Sequence, residues 1–248
     1  MILSNRHRFI FIKGVKVGGT SVEIALSPLC APDDIVTPIT AIDELERLGA
    51  GGGARNYSSD PAAEHAYLER LRQASVADLI SIETPALVYS NHMSLRDVVR
   101  LYGSAALDYR IVCVERHPYA KIISWANHQL SYSAYQTGGE MRSDWRELKD
   151  YLHQAVEDRR IVTVKNIERY RGLDGLISAR VMRFEQLTAD FRGFIQSLGI
   201  DYRAAFPHAK RGILANELDP RDLLDKRQIN LINEIFQEEF DTFNYKPL

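Results

Sequence analysis

Cysteine is scarce in this chain: only Cys30 and Cys113 occur in 248 residues, which excludes a disulfide framework and a multi-cysteine metal cluster. Cys113 lies inside the apolar run Ile111-Val112-Cys113-Val114, so a buried thiol is expected there rather than a bridge to Cys30. Charge of one sign is equally wanting. With 31 Lys and Arg against 33 Asp and Glu, the net charge is -2, and a generally basic, nucleic-acid-coating protein is excluded. Any anion site must be built locally. Long hydrophobic runs are missing too. Met1 to Lys13 holds only Phe9-Ile10-Phe11-Ile12, too short for a secretory h-region or a spanning helix, so a cytoplasmic protein without a membrane span is expected. Internal repeats and heptads do not occur.

What is present is an ordinary globular composition, 45% hydrophobic and 26% charged, with enough chain to bury a substantial core. One domain over residues 1–248 is the default expectation. Apolar runs at Phe9–Ile12, Ala86–Tyr89, Tyr109–Val114 and Arg180–Phe184 read as strands, continuous rather than alternating in hydrophobicity. Between them, amphipathic stretches at Ile42–Leu48, Ala62–Arg72, Leu95–Tyr102, Tyr119–Leu130, Trp145–Val156, Leu187–Leu198 and Asp222–Phe240 read as helices. The pattern predicts an α/β fold, a parallel sheet flanked by helices on both faces. Ligands then sit at the carboxyl ends of the strands. The glycine-rich stretch 49–61 reads as a flexible insertion, and 131–143 as a second loop.

Directly after Phe9–Ile12 comes Gly14-Val15-Lys16-Val17-Gly18-Gly19-Thr20-Ser21, opening a short helix over Ser21–Leu26. A glycine turn between a buried strand and a helix lets backbone N–H groups converge on an anion, and the helix N-terminus adds partial positive charge. Lys16 supplies a full charge. Gly18 and Gly19 permit close backbone approach, and the Thr20 and Ser21 hydroxyls can bond phosphate while capping the helix. Gly14 and Gly19 have the spacing of the nucleoside-triphosphatase loop G-x-x-x-x-G-K-[ST]. Thr20 stands where that loop needs lysine.

A second segment, Glu115-Arg116-His117-Pro118-Tyr119-Ala120-Lys121-Ile122-Ile123-Ser124, opens where a strand ends and continues into a helix, with Pro118 in its first turn. Arg116 and, two turns on, Ser124 make a clamp for a further phosphate. The placement of Lys16 before Gly-Gly-Thr-Ser resembles the 5′-phosphosulfate loop of sulfotransferases that use 3′-phosphoadenosine 5′-phosphosulfate (PAPS). Arg-x-Pro followed by Ser resembles the 3′-phosphate motif of the same enzymes, in the branch grouped with carbohydrate sulfotransferases. Val181-Met182-Arg183-Phe184-Glu185-Gln186-Leu187 is similar to a strand-to-helix segment of that family. Ile232 to Asp241, with Tyr245, is similar to its C-terminal helix. Lys210-Arg211-Gly212 loosely resembles a basic segment that some members fold over the adenosine 3′-phosphate.

The resemblance implies a P-loop-type fold and transfer of a sulfuryl group from PAPS to a hydroxyl, carbohydrate or other small polyol or alcohol. Such chemistry needs a base, a charge at the leaving oxygen and in-line alignment. Lys16 is the candidate leaving-group stabiliser. His92, in Tyr89-Ser90-Asn91-His92, follows an expected strand and titrates near neutral pH, so it is the candidate base; the family carries a histidine in a similar segment. Glu23 is the reserve. His117 reads as packing and His128 as part of an acceptor pocket with Tyr132, Tyr135, Gln136, Arg142 and Trp145. No residue group has metal spacing, and no metal requirement is expected. The competing readings are a P-loop kinase or nucleotide hydrolase, and a catalytically silent nucleotide- or glycan-binding protein. No partner other than a small-molecule or glycan acceptor is implied.

Overall fold

The computed structural model describes residues 1–75, 78–136, 144–207 and 218–248, the side chains of 80 and 132–136 excepted. The chain forms two compact units: Met1–Gly14, Gly18–Val114 and Glu168–Ala209 make the first, and Val15–Val17, Glu115–Ile167 and Lys210–Leu248 the second. Its strands are β1 (Ile2–Ser4), β2 (Phe9–Ile12), β3 (Ile35–Val36), β4 (Arg110–Glu115) and β5 (Arg180–Arg183). The helices are α1 (Gly19–Leu26), α2 (Ala41–Gly49), α3 (Pro61–Gln73), α4 (Leu95–Tyr102), α5 (Pro118–Gln136), α6 (Trp145–Glu157), α7 (Ile167–Tyr170), α8 (Leu187–Ser197), α9 (Pro220–Leu223) and α10 (Lys226–Thr242). Among the described residues, no helix is long and apolar enough to cross a membrane.

In the first unit, five strands form one sheet in the order β3-β1-β2-β4-β5. All four residues of β2 are fully buried, which is why Phe-Ile-Phe-Ile is continuous rather than alternating: both faces of the strand are out of water. β2 pairs parallel with β4, from Phe9 opposite Arg110 to Ile12 opposite Cys113. Phe194 of α8 meets Phe9 edge to face, with ring centroids 5.5 Å apart. Both thiols, Cys30 and Cys113, are buried.

The sheet is mixed, not wholly parallel as expected, because β1 runs antiparallel to both β2 and β3. The connection Asn5–Arg8 is too short for a crossover and suits a hairpin. Arg8 takes a left-handed φ of 54°, and Asp34 ties the turn by accepting from Ser4 Oγ at 2.7 Å and Asn5 N–H at 2.7 Å. The strand expected at Ala86–Tyr89 does not form. Leu87 and Val88 are 45% and 40% exposed, and the Val88 and Tyr89 amides both turn onto the single carbonyl of Tyr57.

The 49–61 segment is also unlike its expectation, for it contributes to a core. Ala54 and Tyr57 are buried with Tyr67, Leu71 and Leu79. Glu44 accepts the Ala54 amide, and Glu64 accepts those of Asn56, Tyr57 and Ser58. Two acidic side chains from α2 and α3 thus do for this polar backbone what water was expected to do.

The second unit is built on α5, α6 and α10. On α6, Leu148, Leu152, Ala155 and Val156 make one buried stripe at helical spacing. On α10, Ile232, Phe236 and Phe240 do the same. The helix expected over Asp222–Phe240 is broken into α9 and α10 because Asp225 is extended and caps α10, exchanging bonds with Gln228 in a capping box.

Candidate functional site

The glycine loop leaves β2 at Lys13. Helix α1 begins at Gly19, with Gly18 as its N-cap at a left-handed φ of 79° and no capping side chain. Thr20 and Ser21 are therefore first-turn residues, not the caps they were expected to be, and the helix begins two residues earlier than read. First-turn amides have no partner inside a helix and face outward from its end. The two glycines have distinct physical reasons. A Cβ on Gly18 would lie 2.9 Å from the Phe184 ring, and one on Gly19 would lie 2.7 Å from Lys13 Cγ. Gly19 is thus bare because the Lys13 side chain passes over it on the way to Glu23, whose Oε2 it meets at 2.5 Å.

Glu23 is wholly buried and also accepts the Met1 amino group. Burial alone would raise its carboxyl, but the charges of Lys13 and the Met1 amine outweigh that and hold it down at about 2. A carboxylate so buried and engaged is poorly suited to take a proton from an acceptor. The reserve base is therefore set aside.

His92 is exposed, in the irregular segment just before α4. Its Nδ1 lies 3.2 Å from Lys13 O; a carbonyl can only accept, so Nδ1 carries the proton and Nε2 keeps its lone pair. Desolvation, followed by the charges of Lys13 and the Met1 amine, lowers the ring from 6.5 to about 4. Because the ring still touches water, part of that burial cost is screened; the Lys13 charge adds to the lowering, while the Lys13 carbonyl and Glu23 oppose it. At neutral pH the imidazole is neutral. Its backbone is fixed as well: Arg169 donates to His92 O at 3.2 Å, and Asn91 O accepts the Met1 amine at 3.1 Å.

In the second unit, the part-buried Lys16 has a left-handed φ of 60°. The preceding residue, Val15, is held by the side-chain amide of Asn166, which accepts from Val15 N–H at 2.7 Å and donates to Val15 O at 3.2 Å. Arg116 is 5% exposed, and its amide donates to Glu115 Oε1 at 2.7 Å. Ser124 is half-buried on α5. Glu115 also accepts from Lys121 at 2.8 Å, while its Oε2 has no hydrogen-bond partner among the described residues. Burial pushes the Glu115 carboxyl up, Lys121 pulls against it and Glu239 adds to it, leaving it at about 7. His117 stacks on Tyr119 and sits edge-on to Phe240 and Tyr245, in keeping with a packing role.

The sequence-predicted residues thus divide: Gly18, Gly19, Thr20, Ser21 and His92 belong to the first unit, and Lys16, Arg116 and Ser124 to the second. Lys210, Arg211 and Arg142 lie outside the described residues, as do the side chains of Tyr132, Tyr135 and Gln136. His128 is exposed, and Trp145 is 51% exposed. Sequence reasoning missed Lys13, Lys121, Asn166 and Glu239. Lys13 and Lys121 lie within or beside the motifs themselves, whereas nothing periodic marks Asn166. Among the described residues, no group of three or more His, Cys, Asp or Glu could hold a metal ion. No protein-family model, curated protein or solved structure matches this chain.

Proposed function

We propose that this chain is a sulfotransferase that moves the sulfuryl group of PAPS to a hydroxyl, on a carbohydrate or another small polyol or alcohol. The observation that carries the reading is the parallel pairing of β2 with β4. Adjacent parallel strands end at the same sheet edge, where ligands of α/β folds sit. The Lys16 loop follows β2, and the Arg116 motif follows β4. Two anion motifs issuing from neighbouring strand ends suit a donor with phosphates at its 5′ and 3′ positions.

In this reading Arg116 and Ser124 hold the 3′-phosphate, and the first-turn amides of α1 hold the 5′-phosphosulfate. His92 Nε2 takes the acceptor's hydroxyl proton. The acceptor oxygen bonds to sulfur as the bond from sulfur to the 5′-phosphate oxygen breaks, and that oxygen departs with the electron pair. Lys16 offsets the charge that develops on it. The negative donor raises the proton affinity of His92, which lies low in the unliganded protein. Glu115, an acid at the end of β4, is buried against Lys121 rather than open to a metal as a kinase's strand-end acid is.

The test is a screen of hydroxyl acceptors with a labelled phosphosulfate donor. Labelled sulfate ester is expected with some acceptors, at a rate about 10²- to 10³-fold lower with Lys16→Ala. Hydrolysis of ATP in place of transfer contradicts the reading.

A further inference from the structure

We propose that Asn166, Glu239 and Lys121 are positioning residues: a buried relay that fixes the Lys16 segment and the Arg116 backbone as one rigid donor-binding frame. The ligand named here rests on the sulfotransferase reading; the relay itself does not. Every member lies in the second unit.

The chain of bonds is continuous. Asn166 grips both the N–H and the carbonyl of Val15, at 2.7 and 3.2 Å. Glu239 Oε1 accepts the Asn166 amide at 2.5 Å and the Ile167 amide at 3.1 Å. Its Oε2 accepts from Lys121 Nζ at 2.5 Å, and Lys121 bonds Glu115 Oε1 at 2.8 Å. That same oxygen accepts the Arg116 amide at 2.7 Å. Asn166, Glu239, Lys121 and Glu115 are all fully buried, where each unmade bond is costly and one geometry is strongly preferred.

Why this serves the loop follows from Lys16 itself. A non-glycine residue at positive φ is strained and persists only where its surroundings over-determine it. Asn166 contributes to this, since it accepts the Val15 N–H and donates to the Val15 carbonyl, one polar group from each of the two peptide units that flank Val15. A helix-to-helix ion pair alone needs no amide aimed at a loop. With Asn166 present, the carboxylate on α10 sets where Lys16 begins and, through Lys121, where Arg116 begins.

The first arm is hydrogen exchange at Val15 in the unliganded full chain. Asn166→Ala is expected to speed it at least ten-fold, and Glu239→Gln by a smaller factor. Glu234→Gln, exposed on the same helix, should leave it unchanged. Unaltered Val15 exchange in a folded Asn166→Ala protein overturns the relay; if that variant does not fold, the near-isosteric Glu239→Gln decides in the same way. The second arm is transfer kinetics. Misplacing Lys16 should lower kcat by about 10- to 100-fold, with donor KM moved much less. In a Lys16→Ala background, Asn166→Ala should cost little more, because both act on one group; independent, multiplying losses contradict the positioning role. Failure of the wild-type protein to bind adenosine 3′,5′-bisphosphate refutes the sulfotransferase reading alone, with the exchange arm still deciding the relay.

Discussion

Lys121→Met removes the only cation the structure shows between Glu115 and Glu239 among the described residues, and its cost can be worked from the geometry. Lys121 is fully buried and bonds the two carboxylates at 2.8 and 2.5 Å. Taking one partner from a buried ion pair typically costs about 3–5 kcal/mol, because the remaining charge is left uncompensated. With a urea slope of about 2 kcal/mol per molar, the unfolding midpoint should fall by about 2 M at pH 7.5. Both tryptophans, Trp125 and Trp145, lie in the second unit, and Trp125 is buried, so fluorescence reports on this unit. The pH dependence gives an internal check. Glu115 is raised from 4.5 to about 7, so the folded state keeps a proton that the unfolded state sheds, and its contribution falls as pH rises from 4.5 to 7. Without Lys121 the Glu115 carboxyl needs its proton more, so the deficit of the variant should shrink at pH 5.5. A loss of under about 1 kcal/mol at both pH values refutes the reasoning, as that is the range of an exposed pair.

Gly19→Ala should destabilise by about 1–3 kcal/mol, the usual cost of overpacking, because its Cβ meets Lys13 Cγ at 2.7 Å; thermal unfolding that matches the wild type shows that Lys13 can move aside. His92→Ala should lower turnover by about 10²- to 10⁴-fold with little change in bisphosphate affinity, and unchanged turnover removes His92 as the base. Since the unliganded ring is lowered from 6.5 to about 4, wild-type kcat/KM should hold level as pH falls through 6.5 and decline only below it; a decline centred at 6.5 or above contradicts the environment described for His92. Transfer is expected to continue in excess chelator, and loss restored by Mg²⁺ favours the kinase-like alternative.

Where hydrophobicity was continuous and packed on both sides, the sequence was a faithful guide. Phe9–Ile12 and, in β4, Ile111–Glu115 are strands because their side chains have nowhere wet to go. Ala86–Tyr89 looks alike in composition but is irregular, with Ala86–Val88 exposed, for the Val88 and Tyr89 amides are taken by the Tyr57 carbonyl rather than by a ladder. Ile2–Ser4 and Ile35–Val36 are too short to show a period. They become strands only through pairing with residues distant in the chain. The glycine loop and Arg116 were legible because their chemistry is local. Asn166 and Glu239 were not, since 73 residues separate the Asn166 amide from its acceptor, and only the fold brings buried polar groups so far apart into one network. The 49–61 segment misled because its glycines suggest mobility, while Glu44 and Glu64, which satisfy its backbone, lie outside it.

On the proposed reading, this chain binds a nucleotide bearing both a 5′- and a 3′-phosphate through Arg116. Titration calorimetry of adenosine 3′,5′-bisphosphate and adenosine 5′-phosphate, each against wild type and Arg116→Ala, tests it most directly. Truncating a charged donor in a buried site costs about 2–5 kcal/mol, so bisphosphate affinity should fall at least about 30-fold, while the monophosphate changes little. Equal losses for both ligands, or wild-type affinity no better for the bisphosphate than for the monophosphate, contradict it.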